Sequence, residues 1–267
     1  MEIIAETLSE AHEAAFDEIL NCHKEIDIQT HVDKKEFTLE FEGENGGDDI
    51  ITMRVLHPLQ EPQVSPGVNY QTGFTEAYKK QFLTLTPPRA DGNHAVYTYW
   101  NRSKDFPCVG IASNAWQSAH AVVMGDGRGD GFDQVSIVIE KLAKDPNNRR
   151  GVIVTWNPLI DARSLEPPCM DMIQFVIRNG RLHMRVIFRS QDILLGLPEN
   201  FVGCTAYLVY VAAEISKLVG HEVKVGELTL VSLIPHIYKK RDGDEFDQMR
   251  ARIHELKTLG KWKVQVK

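Results

Sequence analysis

The stretch LEPPCMDMIQFVIRNGRLHMRVIFRSQD, Leu165 to Asp192, has a cysteine behind two prolines at one end and an Arg-Ser pair at the other. A thiol reacts as its thiolate and ordinarily has a pKa of about 8.5, so a nucleophilic Cys169 needs a cation beside it. Arg189 is the expected neighbour. Asn179-Gly180 is a two-residue hairpin signal, because both central residues must reach positive φ. Counting outward from that turn pairs Arg178 with Arg181, Ile177 with Leu182, Ile173 with Val186 and Cys169 with Ser190. Directly opposed side chains lie about 5 Å apart, so the hairpin carries Cys169, Arg189 and Ser190 to one rim. A bulge would shift the count by one and exchange faces. The other reading of Cys169 is a small buried hydrophobe. On either reading Pro167-Pro168 fixes the backbone entering the strand.

Three further groups could carry chemistry. Arg149-Arg150, adjacent in a turn before an apolar strand, could clamp a phosphate bidentately or form a solvated charged turn. Asn200 in GLPEN stands at the entrance of an apolar helix. It could cap that helix, or its amide could read a base edge as donor and acceptor. His236 and Tyr238 in PHIY share one face of a strand, as binding groups or as packing.

These residues need a scaffold, and hydrophobic periodicity outlines it. Helical spacing predicts helices over 5–22, 73–84, 132–144, 201–219 and near 244–257. Alternation predicts strands at 36–41 and 50–56, separated by the turn-rich EGENGGDD. GVIVTWNP reads as a buried strand, EVKVGELTLVSLI as one or two strands and KWKVQV as the last. Residues 58–72 read as loop, and the pattern within 86–131 assigns no element. The helix over 201–219 is almost wholly apolar and predicts a central core helix. The expectation is one α+β domain, residues 1–267, on a mixed sheet.

Composition narrows the partners. A chain of 267 residues with 43% hydrophobic and 25% charged residues is that of an ordinary globular protein. A net charge of −7 argues against a general nucleic-acid binder. Cys22, Cys108, Cys169 and Cys204 are scattered without metal-ligand spacing, so no metal is expected. No basic, apolar leader and no long apolar run predict a membrane association. Free thiols suit a reducing cytoplasm.

The segments DQVSIVIEKLAKDPNNRRGVIVTWNP, PPC, FRSQDILLGLPEN and HIY occur in an order that resembles the thymidylate synthase superfamily. The resemblance covers roughly 132–238, with a looser echo in AVYTYWNR, 95–102. The compact end after HIY and the YTYWNR segment are more similar to the short archaeal and viral branches than to the bacterial form.

The resemblance implies a thymidylate synthase-like fold and a set of roles. Cys169 would add to C6 of a pyrimidine nucleoside monophosphate, making C5 a carbon nucleophile. C5 would attack a one-carbon unit on 5,10-methylenetetrahydrofolate or methylene-tetrahydromethanopterin. Arg189 and Ser190 would hold the 5′-phosphate. Arg149 and Arg150 would reach it from the other subunit of a back-to-back homodimer. Asp192 would contact the ligands, Asn200 the base edge, and His236 with Tyr238 the sugar hydroxyl. The leading expectation is reductive methylation of dUMP to dTMP. The alternatives are a dUMP or (d)CMP 5-hydroxymethylase and a catalytically degenerate nucleotide-binding homologue.

The sequence also departs from the family pattern. Met170 follows the cysteine where the family usually has a polar residue. Phe188 stands where the bacterial form has Gln. Ile234-Pro235 precede the histidine where Asp-Thr or Asp-Ser is usual. Glu76 is the candidate for the folate-side glutamate, and KWKVQVK the candidate for a closing tail.

Overall fold

The computed structural model describes residues 1–29, 35–42, 49–86, 97–112, 120–124 and 129–267. In chain order the elements begin with β1 (Glu2–Ala5), α1 (Leu8–Asn21), β2 (His23–Gln29), β3 (Lys35–Phe41) and β4 (Ile51–Val55). They continue with α2 (Phe74–Phe82), α3 (Tyr99–Lys104), β5 (Cys108–Ala112), β6 (His120–Met124), α4 (Gln134–Lys144), β7 (Val152–Val154) and α5 (Pro158–Asp161). The hairpin β8 (Met170–Arg178) and β9 (Arg181–Phe188) leads into β10 (Gln191–Asp192) and α6 (Gly196–Val219). The chain closes with β11 (Lys224–Ser232), β12 (Pro235–Tyr238), α7 (Gly243–Thr258) and β13 (Gln265–Val266).

The expected α+β fold on a mixed sheet is present. Seven strands run in the order β13-β1-β4-β11-β9-β8-β7, with β1–β4 and β11–β9 parallel and the other pairs antiparallel. Ile3, Met53, Leu228, Leu230, Met184, Val186, Ile173 and Phe175 share one face by register and are fully buried. α6 packs against this face through Phe201, Cys204, Tyr207, Leu208, Val211 and Ile215, all fully buried. By length and composition α6 could cross a membrane, yet this packing makes it the central core helix.

Several boundaries differ from the sequence reading for local reasons. A capping box starts α1 at Leu8: Thr7 Oγ1 accepts from Glu10 N, and Glu10 Oε2 accepts from Thr7 N, each at 3.2 Å. That frees Glu2–Ala5 to pair in the sheet as β1. β7 is not the buried strand expected: it is the sheet edge, and Val152 and Val154 are 38% and 40% exposed. α6 begins five residues before 201, so Asn200 lies inside its first turns and Leu195 takes the N-cap position. KWKVQVK does not lie over a site; its Gln265 and Val266 pair with β1. Most of EGENGGDD falls outside the described residues.

A second sheet, β10-β12-β3-β2, sets β10 parallel to β12 with Asp192 opposite His236. β5 and β6 form a separate pair.

Candidate active site

The hairpin follows the predicted register from its turn outward. Asn179 and Gly180 have φ of 52° and 70°, and Arg178–Arg181, Ile177–Leu182 and Ile173–Val186 pair as counted. Between Met172 and Met170 the register shifts by one residue, at Asp171. Beyond this bulge Met170 pairs with Phe188, and Arg189 N donates to Cys169 O at 2.9 Å. Cys169 therefore stands opposite Arg189, not Ser190. The bulge also explains two departures together. Phe188 faces the core, so the shift turns Met170 inward against it, and both are fully buried. A polar pair there would lose its water without gaining a partner.

Arg189 is clamped to the proline segment. Its Nε donates to Pro168 O and its Nη2 to Pro167 O, each at 2.9 Å, and Nη2 lies 3.6 Å from Cys169 Sγ. The two proline carbonyls thus hold the guanidinium beside the thiol. Among the described residues Nη1 has no protein partner, which leaves a donor for an incoming anion. Tyr97 OH also reaches Pro167 O, at 3.4 Å, and Arg189 lies over the Trp156 ring. Tyr97 is anchored from behind by Arg102, whose guanidinium lies 5.6 Å from its ring centroid. Arg102 is itself locked bidentately to buried Asp161 at 2.8 and 3.0 Å.

The electrostatics of the thiol run against a simple reading of its neighbour. Burial raises the Cys169 pKa above the ordinary thiol value; Arg189 pulls it down, Asp171 pushes it up and Tyr97 lowers it. Burial outweighs the cation, so these surroundings favour the thiol over the thiolate. Asp171 is itself raised by burial, against the pull of Arg189.

The second sheet supplies the facing wall. His236 is buried, and its Nδ1 lies 3.1 Å from the Ile234 carbonyl. A carbonyl only accepts, so Nδ1 donates and Nε2 keeps its lone pair. Burial holds the imidazole below its ordinary value, although Asp192 pulls it up. Tyr238 packs edge-on against His236 at 4.9 Å between centroids. Its phenol is raised by burial first, then by Asp192, and it feels Cys169 across the cleft. Asp192 Oδ1 accepts from Leu194 N and Leu195 N at 3.1 and 3.3 Å, which turns the chain into α6. Its Oδ2 takes Arg241 Nη2 at 2.5 Å, and the Arg241 guanidinium also covers the Tyr238 ring at 4.1 Å.

α6 and α2 form the third wall. Gly203 makes their approach possible: a Cβ there would come within 2.3 Å of the Phe82 ring. Tyr70, Phe74 and Tyr78 stack at 4.2 and 5.3 Å between centroids. Tyr70 OH donates to Leu195 O at 3.0 Å, which ties this aromatic ladder to the start of α6. Glu199 and Asn200, both half-buried, project from the first turns of α6.

Of the residues singled out in the sequence, the structure sets Cys169 against Arg189, pairs Asp192 with His236, packs Tyr238 on His236 and puts Tyr238 within electrostatic reach of Cys169; Ser190 follows Arg189 at the rim, and Asn200 lies half-buried in the first turns of α6. Arg149 and Arg150 are not among them. They are exposed, and Arg150 is level with Val176, seven residues along β8 from Cys169. That is about 20 Å at strand rise. Glu76 is 81% exposed at its side chain and paired with Lys79 at 2.7 Å. Sequence reasoning missed Tyr97, Asp171, Glu199 and Arg241. Tyr97 stood in a quoted segment, and Arg241 in a charged run only three residues past HIY; nothing local marked Asp171 as a bulge.

The thymidylate synthase family profile matches residues 91–263. A protein of Methanothermobacter marburgensis named "Putative thymidylate synthase" is 36% identical over 164 residues, 61% of this chain and 58% of that protein. One of the same name from Methanocaldococcus jannaschii is 41% identical over 118 residues, 42% of this chain and 50% of that one. A thymidylate synthase of Staphylococcus haemolyticus is 40% identical over 114 residues, 42% of this chain and 34% of that one. The matches thus span about half the length of the curated relatives, from 34% to 59%. The solved thermostable thymidylate synthase A of Bacillus subtilis superposes with a TM-score of 0.59 at 18% identity, over 91% of this chain and 84% of that one. That likeness is one of fold.

Proposed function

The chain belongs to the thymidylate synthase family, and from that premise we propose that it transfers a one-carbon unit to C5 of a pyrimidine nucleoside monophosphate, with dUMP to dTMP as the reaction. The observation that carries the reading is the Cys169–Arg189 pair, 3.6 Å apart and clamped at one rim. Cys169 attacks C6 as a thiolate, and Arg189 both favours that form and offers Nη1 to the 5′-phosphate. Tying the phosphate anchor to the nucleophile through the same guanidinium sets the base at a defined distance from sulfur. Ser190 adds a hydroxyl to the phosphate. His236 Nε2, with its lone pair free, accepts from a sugar hydroxyl, and Tyr238 lies beside it. Asn200 reads the base edge.

A reduced folate or pterin supplies the methylene carbon when bound. The stacked Tyr70, Phe74 and Tyr78 fit a flat bicyclic ring, and Asp192 and Glu199 fit its N–H edge.

The sheet's outer face supports assembly as a homodimer. Val152, Val154, Gln174, Arg185 and Ile187 share that face by register, and none of them is buried. Pairing two copies through it would cover the apolar edge. It would also let Arg149 and Arg150 serve the partner's phosphate site, since they cannot reach their own. The free thiols Cys22, Cys108, Cys169 and Cys204 suit a reducing cytoplasm.

The test is to supply dUMP, dCMP and CMP with labelled C5 hydrogen, plus a methylene-carrying reduced folate, and to identify products by mass. Release of label with dTMP as product is expected. A hydroxymethyl product would show that water replaces hydride at the last step. No release with any nucleotide would leave a binding protein without turnover.

A further inference from the structure

We propose that Arg241 is a positioning residue: it fixes the Tyr238 ring beside His236 and ties both to Asp192, so that the sugar hydroxyl of the nucleotide meets a wall already in place. This rests on the nucleotide reading above, which gives His236 and Tyr238 to the sugar and leaves open what holds them. A group that binds by one or two hydrogen bonds does so best when its orientation is set before the ligand arrives.

The chain folds Arg241 back over its own strand. Asp242 N donates to Tyr238 O at 3.0 Å and closes a turn just past β12. The Arg241 guanidinium then lies over the Tyr238 ring, 4.1 Å from its centroid, an arrangement in which the cation is drawn to the ring's electron-rich face. The His236 ring meets the same tyrosine at 4.9 Å, nearly perpendicular at 86°. The guanidinium also joins two carboxylates. Its Nε donates to Asp242 Oδ1 and its Nη2 to Asp242 Oδ2, and Nη2 donates as well to Asp192 Oδ2, all at 2.5 Å. One nitrogen serves both acids, so the two Oδ2 atoms are at most about 5 Å apart, twice that bond length. Without the cation their charges would repel. Asp192 in turn stands opposite His236 in the β10–β12 pair, and Ile193 N donates to His236 O at 2.8 Å. Arg241 therefore closes a ring of contacts that runs through Tyr238, His236 and Asp192.

An ion pair made only for stability would be built differently. The Arg241 side chain is 46% exposed, and an ion pair in such a place adds little to folding. Asp242 is buried at the N-cap position of α7, where an aspartate ordinarily accepts from the first free N–H groups of the helix. It makes no such bond and gives both oxygens to Arg241. The helix forgoes its side-chain cap, and the gain is a guanidinium held over Tyr238 and against Asp192.

The experiment compares, by binding calorimetry, dUMP with its 2′,3′-dideoxy analogue, which differs only in lacking the sugar hydroxyl. The wild type should bind dUMP at least about tenfold more tightly. In Arg241→Gln that preference should fall below about threefold, with affinity for the dideoxy nucleotide unchanged. Arg241→Lys keeps the charge but not the two-pronged bond to Asp242, and should recover part of the preference. Asp242→Ser is the second variant: serine can cap α7, so the melting temperature should hold or rise while the preference falls. A preference kept at the wild-type level in Arg241→Gln or, should that protein not fold, in Asp242→Ser would overturn the role of Arg241 and leave the sugar reading standing. Equal weakening of both nucleotides would overturn it in the same way, since a merely structural loss does not single out the hydroxyl. A wild type that binds the two nucleotides alike would instead remove the sugar reading of His236 and Tyr238, and Arg241 with it.

Discussion

The two ends of the β8–β9 hairpin obey different rules. At the turn, Asn179 and Gly180 occupy positive φ, and every pair out to Met172–Ile187 follows by counting. At the rim, the bulge at Asp171 breaks the count, buries Met170 against Phe188 and sets Cys169 opposite Arg189. The turn end is governed by neighbours in sequence. The rim end is governed by partners distant in sequence: the proline carbonyls, Tyr97 and the second sheet. One end holds the register and the other uses a break in it to aim a thiol.

The largest expected effect lies at the rim. Cys169→Ser should lower turnover about a thousandfold or more while nucleotide affinity stays within about tenfold, because sulfur acts in bond formation more than in binding. Turnover at half the wild-type rate would show that the rim is built for packing, like the turn.

A second effect should reach the rim through pH. His12 on α1 is fully buried against the Ile193–Leu194 backbone, just past Asp192, and burial lowers its imidazole from 6.5 to about 4. The unfolded chain takes up this proton near pH 6.5, while the folded chain resists until about 4. The contribution is therefore complete above pH 6.5 and is lost as pH falls through that window, up to about 3 kcal/mol. His12→Leu should flatten the stability curve by that amount. Amide exchange at Ile193–Leu195 should quicken on acidification before exchange at Asn179–Gly180. Equal acid sensitivity in both proteins would refute the assignment.

Arg150 belongs to neither end of its own hairpin, which sharpens the contrast. Arg150→Ala should cost about 2–3 kcal/mol in phosphate binding. Mixing it with Cys169→Ser protomers should restore about one native site per heterodimer, on the logic of a shared site. No recovery in a mixture shown to exchange subunits would confine each site to one chain.

The smallest effect is expected at the turn. Gly180→Ala places a side chain at φ 70° and should cost about 1 kcal/mol. The melting temperature should fall by about 2–4 °C, with kcat/KM unchanged. A large loss of activity would mean that turn and rim are coupled along the strands.

What the sequence determined by itself was what depends on short-range chemistry or periodicity. The Asn179-Gly180 turn, the amphipathic run of α4 and the apolar α6 are readable because each follows from its own residues. The motif order from PPC to HIY named the family and the fold, because side-chain types at fixed spacing are written in the chain itself. Only the tertiary structure decided the rest. The bulge exists because Met170 is drawn into the core beside Phe188, a partner across the sheet. β7 is an edge because no strand follows it in the sheet among the described residues, which its apolar letters cannot report. The Cys169 thiol is raised, despite Arg189, because burial is a property of the whole fold. Glu199 differs from Glu76 for the same reason: one carboxyl is closed in by α2 and Asp192, and the other stands in water beside Lys79.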